Sequence, residues 1–333
     1  VAIKLSTAIA IYGAGVVGSL AYCWSDTFWF SAVEGEVYAM SSLFTAIVFW
    51  AMLEWEEEAH QPYANRWIVL IAFLMGLSIG VHLLNLLTIP AMVFLYYFKM
   101  YEVTAKRTWK VLFIAVAILA FILFGMIPYI PKFSAYADLL FVNLLGLPVN
   151  SGATCFMLML IGLGVWGFYY TYKRAKVLLN TIILCFTMIV IGYSTCAVVV
   201  IRSSANTPTN EYMPDNPFTL VRYLGREQYG SAPLLYGETF ASPMVSLKTP
   251  TYYNFVDGKY EKLEAPVEPE YDPATKMLFP RMYTGGAGNS YIGFYNMYTQ
   301  GKGRSIVGSE FKQPTFGANL AYFFDYQLNY MYW

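Results

Sequence analysis

"WIVLIAFLMGLSIGVHLLNLLTIPAMVFLYYF" occupies residues 67–98, and its reading decides the fold. One transmembrane helix needs about 20 apolar residues, with a range near 17–25. The stretch is too long for one crossing and short for two. Gly80, His82 and Asn85 interrupt it and Pro90 follows, so it divides at "GVHLLN" into two short or tilted helices. One long kinked helix is the alternative. Once divided, it joins a series of apolar runs at 3–24, 36–53, 67–81, 83–98, 111–129, 153–171 and 177–201.

Composition agrees with a membrane protein. Of 333 residues, 57% are hydrophobic and 13% charged, where a soluble domain carries about 25% charged. The formal net charge is zero, so no basic surface invites nucleic acid. Cys23, Cys155, Cys185 and Cys196 all fall in apolar segments without metal or redox spacing, and read as small buried hydrophobes. Val1 already lies in an apolar run and "YQLNYMYW" ends without a tail, so an interior piece of a longer chain is expected.

Loop charge sets orientation. "KMYEVTAKRTWK" (99–110) and "YKRAK" (172–176) are basic and belong in the cytoplasm, while the loops expected at 25–36 and 130–151 share one basic residue, Lys132. The acidic loop "EWEEEAHQPYANR" (54–66) also falls inside by alternation, and acids count little in this rule. Seven crossings put residue 202 onward outside the cytoplasm.

Residues 202–333 are polar, Tyr-rich and punctuated by Pro and Gly. "PLLYGETF" (233–240) and "TPTYYNFVDGKYEKLEA" (249–265) predict short strands and a hairpin turning at "DGK". "PFTLVRYLGREQYG" (217–230) predicts a short helix opened by Asn216 and Pro217. "FGANLAYFFDYQLNYMYW" (316–333) reads as an aromatic amphipathic segment at the membrane interface. The fold class is therefore mostly α: a polytopic helix bundle over 1–201, then a mixed α+β extracytoplasmic soluble region over 202–333.

In this topology polar residues gather at the outer face. Asp26, Glu34 and Glu36 lie between the first and second helices, His82 and Asn85 between the third and fourth, and Arg202 ends the seventh. Ionisable groups near apolar segments are costly and mark candidate functional sites. Each has a plainer reading. Glu36 stands where a helix should begin, and the positive end of a helix dipole favours an acid. Asp26 follows a helix end, where a turn or cap suits it. Glu34 and Glu36 face nearly opposite ways unless the helix begins at or after Glu36. His82 has only His60 for company, on the other face, which argues against a metal site. Arg202 offers a fork of donors to a phosphate, or snorkels to headgroups. No P-loop, Rossmann fingerprint or nucleophile elbow is present. "YGAGVVGSL" (12–20) is small-residue helix packing within a membrane run.

"SDTFWFSAVEGEVYAMSSLFTA" (25–46), "LMGLSIGVHLLNLLTIPA" (74–91), "LLFVNLLGLPVNSG" (139–152), "VIRSSANTP" (200–208), "REQYG" (226–230), "PLLYGE" (233–238) and "PTFGANLAYFFDYQL" (314–328) carry a resemblance running over nearly the whole chain. Together they resemble a family of large bacterial membrane proteins similar to the eukaryotic transmembrane protein O-mannosyltransferases, of the GT-C class. That resemblance implies a GT-C-like bundle in a bacterial inner membrane, with residues 202–333 periplasmic. It implies a glycosyltransferase moving a sugar, with mannose as the candidate, from a polyprenyl-phosphate donor to Ser or Thr hydroxyls of an exported protein. No separate cofactor is expected, and the lipid-linked sugar is the donor substrate. In such enzymes the principal acid lies in the first outer loop, and this chain reads as starting two helices later. Glu36 matches the Glu of the family's "AEVY"-like motif, here "GEVY", with Asp26 and Glu34 as accompanying acids. His82 stands where relatives place a Lys facing the lipid phosphate, with Asn85 and Arg202 as its companions. The rival expectation is a non-enzymatic scaffold or receptor subunit of an envelope export complex. A transporter fares worse, since no inverted repeat or charged mid-membrane pair is apparent.

Overall fold

The computed structural model describes residues 4–205, 207–210, 212–227, 235–238, 242–278, 317, 320 and 324. The expected interfacial segment at 316–333 thus lies almost wholly outside the described residues. Two compact units divide between Val221 and Arg222.

The first unit is a helix bundle. Its helices are α1 (Leu5–Cys23), α2 (Asp26–Val33), α3 (Tyr38–Glu58), α4 (Asn65–Ile79), α5 (Thr88–Met100), α6 (Ala105–Ala120), α7 (Ile127–Leu145), α8 (Ser151–Lys173), α9 (Val177–Tyr193), α10 (Ala197–Ser204) and α11 (Pro217–Leu224), the last crossing into the second unit. A 3₁₀ turn, Leu83–Leu87, leads into α5 and another, Ser194–Cys196, joins α9 to α10. A π-helical segment, Phe121–Met126, joins α6 to α7. Six of the resulting helical stretches are long and apolar enough to cross a bilayer, which makes this a multi-pass membrane protein. α4 is apolar but shorter, at 15 residues. The long run at 67–98 breaks at Gly80–His82, between α4 and the 3₁₀ turn.

The core lies where α3, α4, α5, α7 and α9 meet, around Val48, Ala51, Ile71, Met75, Leu86, Ile89, Met126 and Val190. Most of the apolar surface outside it faces outward, as lipid requires. α4 and α9 run parallel. Asn65 Nδ2 donates to Thr181 Oγ1 at 3.3 Å near their first turns, and Gly76 meets Ile189 near their last. The approach is backbone on backbone: a Cβ on Gly192 would stand 2.6 Å from the Leu77 nitrogen. Small residues permit this closeness, and close packing drives association in lipid.

Two expectations need correction. Residues 25–36 are not simply a loop. "DTFWFSAV" forms α2, whose Phe28 ring lies 4.5 Å from Tyr22. Nor does the fifth helix end at 129. α6, the π segment and α7 form one helical stretch of 41 residues, Ala105–Leu145. The missed portion opens with Pro128, Pro131 and Lys132, which read as a helix stop, yet it buries Ile130, Ser134, Asp138 and Val142 on one face at helical spacing. The stretch begins at Thr104, whose hydroxyl accepts from the Arg107 N–H, and ends at Gly146 in the left-handed region at φ 66°.

Pro131 sits inside α7 and cannot donate to the carbonyl of Ile127, four residues back. The Tyr193 hydroxyl, from α9, donates to that oxygen at 2.9 Å. Of the cysteines read as buried, Cys196 is buried, Cys185 half-buried, and Cys23 and Cys155 lie on the outside of the bundle.

Asn216 opens α11 as its sequence foretold. Its Oδ1 accepts from the N–H groups of Phe218 and Thr219, and Pro217 follows where no N–H is needed. In the second unit, β1 (Tyr236–Gly237) pairs with β6 (Met277–Leu278), β2 (Met244–Lys248) with β5 (Glu268–Tyr271), and β3 (Thr251–Val256) with β4 (Lys259–Glu264), all antiparallel. The β3–β4 hairpin turns at Asp257–Gly258, both at positive φ, as the "DGK" signal predicts. The Arg222 guanidinium lies 4.1 Å from the Tyr252 ring centroid and donates to Glu227.

Candidate functional site

Helix alternation brings the start of α3, the end of α4, the start of α5, the end of α7, the start of α8 and the end of α9 to one end of the bundle. Glu36, His82 and Asn85 adjoin these helix ends, while Asp26 and Glu34 bound α2 and Arg202 lies in α10. Glu36 precedes α3 by two residues, so it approaches that helix from outside and does not open it. Gly35 between the two glutamates takes φ 71°, so Glu34 and Glu36 are not constrained to opposite faces of one helix.

His82 is the N-cap of the Leu83–Leu87 turn, and its Nδ1 accepts from the Leu84 N–H at 3.1 Å. That bond uses Nδ1 as acceptor and leaves Nε2 to carry the proton in the neutral ring. The ring is half-buried and packs against Tyr38, centroids 5.6 Å apart. Tyr38 follows Glu36 by two residues, so this contact ties the "GEVY" turn to the His82 turn.

The other candidates are placed less closely. Asp26 opens α2 and Glu34 closes it, so about 12 Å of helix axis separates them. All three acids are exposed, and among the described residues none forms an ion pair. Arg202 is exposed in the last turn of α10, about 9 Å along the axis beyond Cys196. Asn85 departs from its expected role as a phosphate donor. It is 0% exposed, and its Nδ2 donates to Ser78 Oγ at 3.2 Å. A buried amide committed to a neighbouring helix does not reach a lipid phosphate at the surface.

Sequence reasoning missed Asp138. It too is 0% exposed, in the stretch expected to be a loop. Its Oδ2 accepts from the Asn150 N–H at 2.9 Å, and its Oδ1 from the Gly152 and Ala153 N–H groups at 2.8 and 3.3 Å. The carboxylate thus caps α8 from a neighbouring helix, satisfying donors that have no partner inside α8 and facing the positive end of its dipole. Gly152 permits the approach, since a Cβ there would stand 2.5 Å from the Asp138 Cα. Asn150 Nδ2 in turn donates to the Asp215 carbonyl at 3.3 Å. The acid at 138 followed by "NSG" at 150–152 is the only sequence signal for this corner. Beside it Val149, Asn150, Ser151, Thr154, Cys155 and Leu158 line an open groove of about 520 Å³ that includes none of the six candidates. Among the described residues no group of three or more His, Cys, Asp or Glu side chains is placed to hold a metal ion.

Two family models match the chain. Residues 2–105 match the family model described as the protein O-mannosyl-transferase TMEM260 N-terminal domain. Residues 230–324 match a family of unknown function, DUF8416. Neither a curated protein nor a solved structure matches the chain. Over its first helices the chain is thus similar to protein O-mannosyltransferases, as its motifs indicate. The matched span is narrower than the resemblance read across the chain. It holds Asp26, Glu34, Glu36, His82 and Asn85, while Arg202 falls outside it.

Proposed function

Proceeding from the match over residues 2–105, we propose that the protein is a membrane glycosyltransferase of the GT-C class, moving a sugar from a polyprenyl-phosphate donor to Ser or Thr hydroxyls of an exported protein. The observation that carries this reading is the tie between the "GEVY" turn and the His82 turn inside the matched span. It supports a site in which an acid and a hydrogen-bonding group serve one substrate.

In the proposed reaction the acceptor hydroxyl oxygen attacks the anomeric carbon of the sugar. The bond from that carbon to the phosphate oxygen breaks, and the electron pair leaves with the lipid phosphate. Glu36 accepts or orients the hydroxyl proton as the nucleophile forms, with Glu34 beside it and Asp26 farther along α2. His82, donating through Nε2, and Arg202, through its guanidinium fork, offset the charge gathering on the departing phosphate. Site and soluble region then face the periplasmic side of a bacterial inner membrane.

Mass spectrometry of envelope proteins from cells with and without the intact gene tests the function. The expected result is loss of a hexose from defined Ser or Thr sites. Glu36→Gln in the full protein should abolish transfer at unchanged expression, and transfer at the wild-type level would remove Glu36 from the mechanism. The open groove, which holds no acid, favours the second reading, a scaffold or receptor subunit of an envelope complex. Unchanged glycan profiles in the deletion strain would select it.

A further inference from the structure

Two polar side-chain atoms at the junction of α3 and the Leu83–Leu87 turn have no hydrogen-bond partner within the protein: Ser41 Oγ and Asn85 Oδ1. Both residues are buried, at 1% and 0% exposure. An unpaired polar group in such a place is costly, so two at one junction call for a shared partner.

Their register brings them together. α3 packs against the 3₁₀ turn, and Tyr38 touches His82 at its outermost point. Ser41 follows Tyr38 by three residues and so lies on the same face of α3, one turn deeper. Asn85 lies inside that turn and is buried, while His82, its extended N-cap, stays half-exposed. Beneath the Tyr38–His82 contact, the packing of α3 on the turn brings buried Ser41 and buried Asn85 to the same junction.

The neighbours fix the amide's orientation. Ser78 Oγ donates its proton to the Met75 carbonyl at 2.9 Å, so towards Asn85 it can only accept. The atom of Asn85 at 3.2 Å from it must then be the nitrogen, and the atom left over is the carbonyl oxygen. A guest here has to donate to Asn85 Oδ1, which rejects a phosphate or any other anion. No acid is buried nearby to receive a cation, and burying an unpaired charge costs several kcal/mol. What remains is a small neutral molecule that both donates and accepts.

We propose that Ser41 Oγ and Asn85 Oδ1 hold one buried water that bridges α3 to the 3₁₀ turn and fixes the turn carrying His82. A buried water makes two to four hydrogen bonds to groups that otherwise go unpaired, as here. The inference is independent of the chemistry proposed for the site.

A high-resolution cryo-EM map of the intact protein in nanodiscs tests it. The expected result is a water peak within hydrogen-bond reach of both atoms in the wild type, absent in Ser41→Ala. A direct Ser41–Asn85 bond, or no density between them, overturns it. A stability cycle supplies a second readout on variants that remain folded. Ser41→Ala and Asn85→Ala should each lower the melting temperature, and the pair together no further than the worse of the two. Shifts that simply add would refute a shared water. Amide exchange at Leu83–Leu87 should quicken in Ser41→Ala, and exchange at the wild-type rate would remove the claim that the water fixes the turn.

Discussion

Tyr193→Phe isolates one hydrogen bond in the packed centre of the bundle. The substitution keeps the ring and removes only the hydroxyl that donates to the Ile127 carbonyl at 2.9 Å. That carbonyl lacks its usual partner because residue 131 is a proline. Tyr193 is 3% exposed, so water does not replace the hydroxyl. Leaving a buried carbonyl unpaired costs about 1–3 kcal/mol, while interhelical hydrogen bonds measured in a membrane average about 0.6 and reach about 1.7. The lower scale reflects polar groups that find new partners. Ile127 is held in a helix and cannot turn to find one, so a loss of about 1–2 kcal/mol is expected. The cause can be checked with Pro131→Ala, which restores an N–H able to close the turn onto the same oxygen. In a Pro131→Ala background, Tyr193→Phe should then cost no more than a few tenths of a kcal/mol. Reversible unfolding of the purified protein in mixed micelles measures the wild type and the three variants. Equal losses from Tyr193→Phe in both backgrounds would show that the tyrosine hydroxyl does not stand in for the helical N–H.

Asp138→Ala strips three N–H groups at the start of α8 of their acceptor and should cost about 3–5 kcal/mol, lowering the yield of folded protein in size-exclusion chromatography. Asp138→Asn keeps an acceptor and should lose less. Gly192→Val drives a side chain into the backbone of α4, and expression should fall as the parallel α4–α9 pair fails to form. Arg202→Ala, exposed at the end of α10, should leave thermal stability within about 0.5 kcal/mol of wild type while reducing glycan transfer. Transfer at the wild-type rate would take Arg202 out of the phosphate site.

The membrane class, the break at Gly80–His82, the Asn216 cap and the Asp257–Gly258 turn were all legible in the sequence. Each depends on a local rule: apolar length, a capping side chain, or a pair of residues that tolerate positive φ. Legibility failed where tertiary structure decides. α7 opens with Pro128, Pro131 and Lys132, which read as the end of a helix, so it shows only when the buried face of Ile130, Ser134 and Val142 is known. Asp138 reads as a loop acid until α8 is seen folding back onto it. Asn85 lies in a polar interruption of an apolar run, which suggested exposure, yet its neighbours bury it completely. The acids Asp26, Glu34 and Glu36 were visible as residue types. Their spacing was not, because it depends on α2, a short helix formed in an expected loop.

The shortness of α4 sets a depth. Its 15 residues rise about 22 Å, against roughly 30 Å of hydrocarbon. With Arg66 set at one headgroup layer, the imidazole of His82 at the far end of α4 would lie beneath the opposite hydrocarbon boundary unless the bilayer thins to meet it. Thinning would bring the headgroup phosphates down to the level of His82. If the proposed function holds, a soluble sugar nucleotide would have to sink to get there, whereas a sugar tethered to an isoprenoid would already rest at that depth.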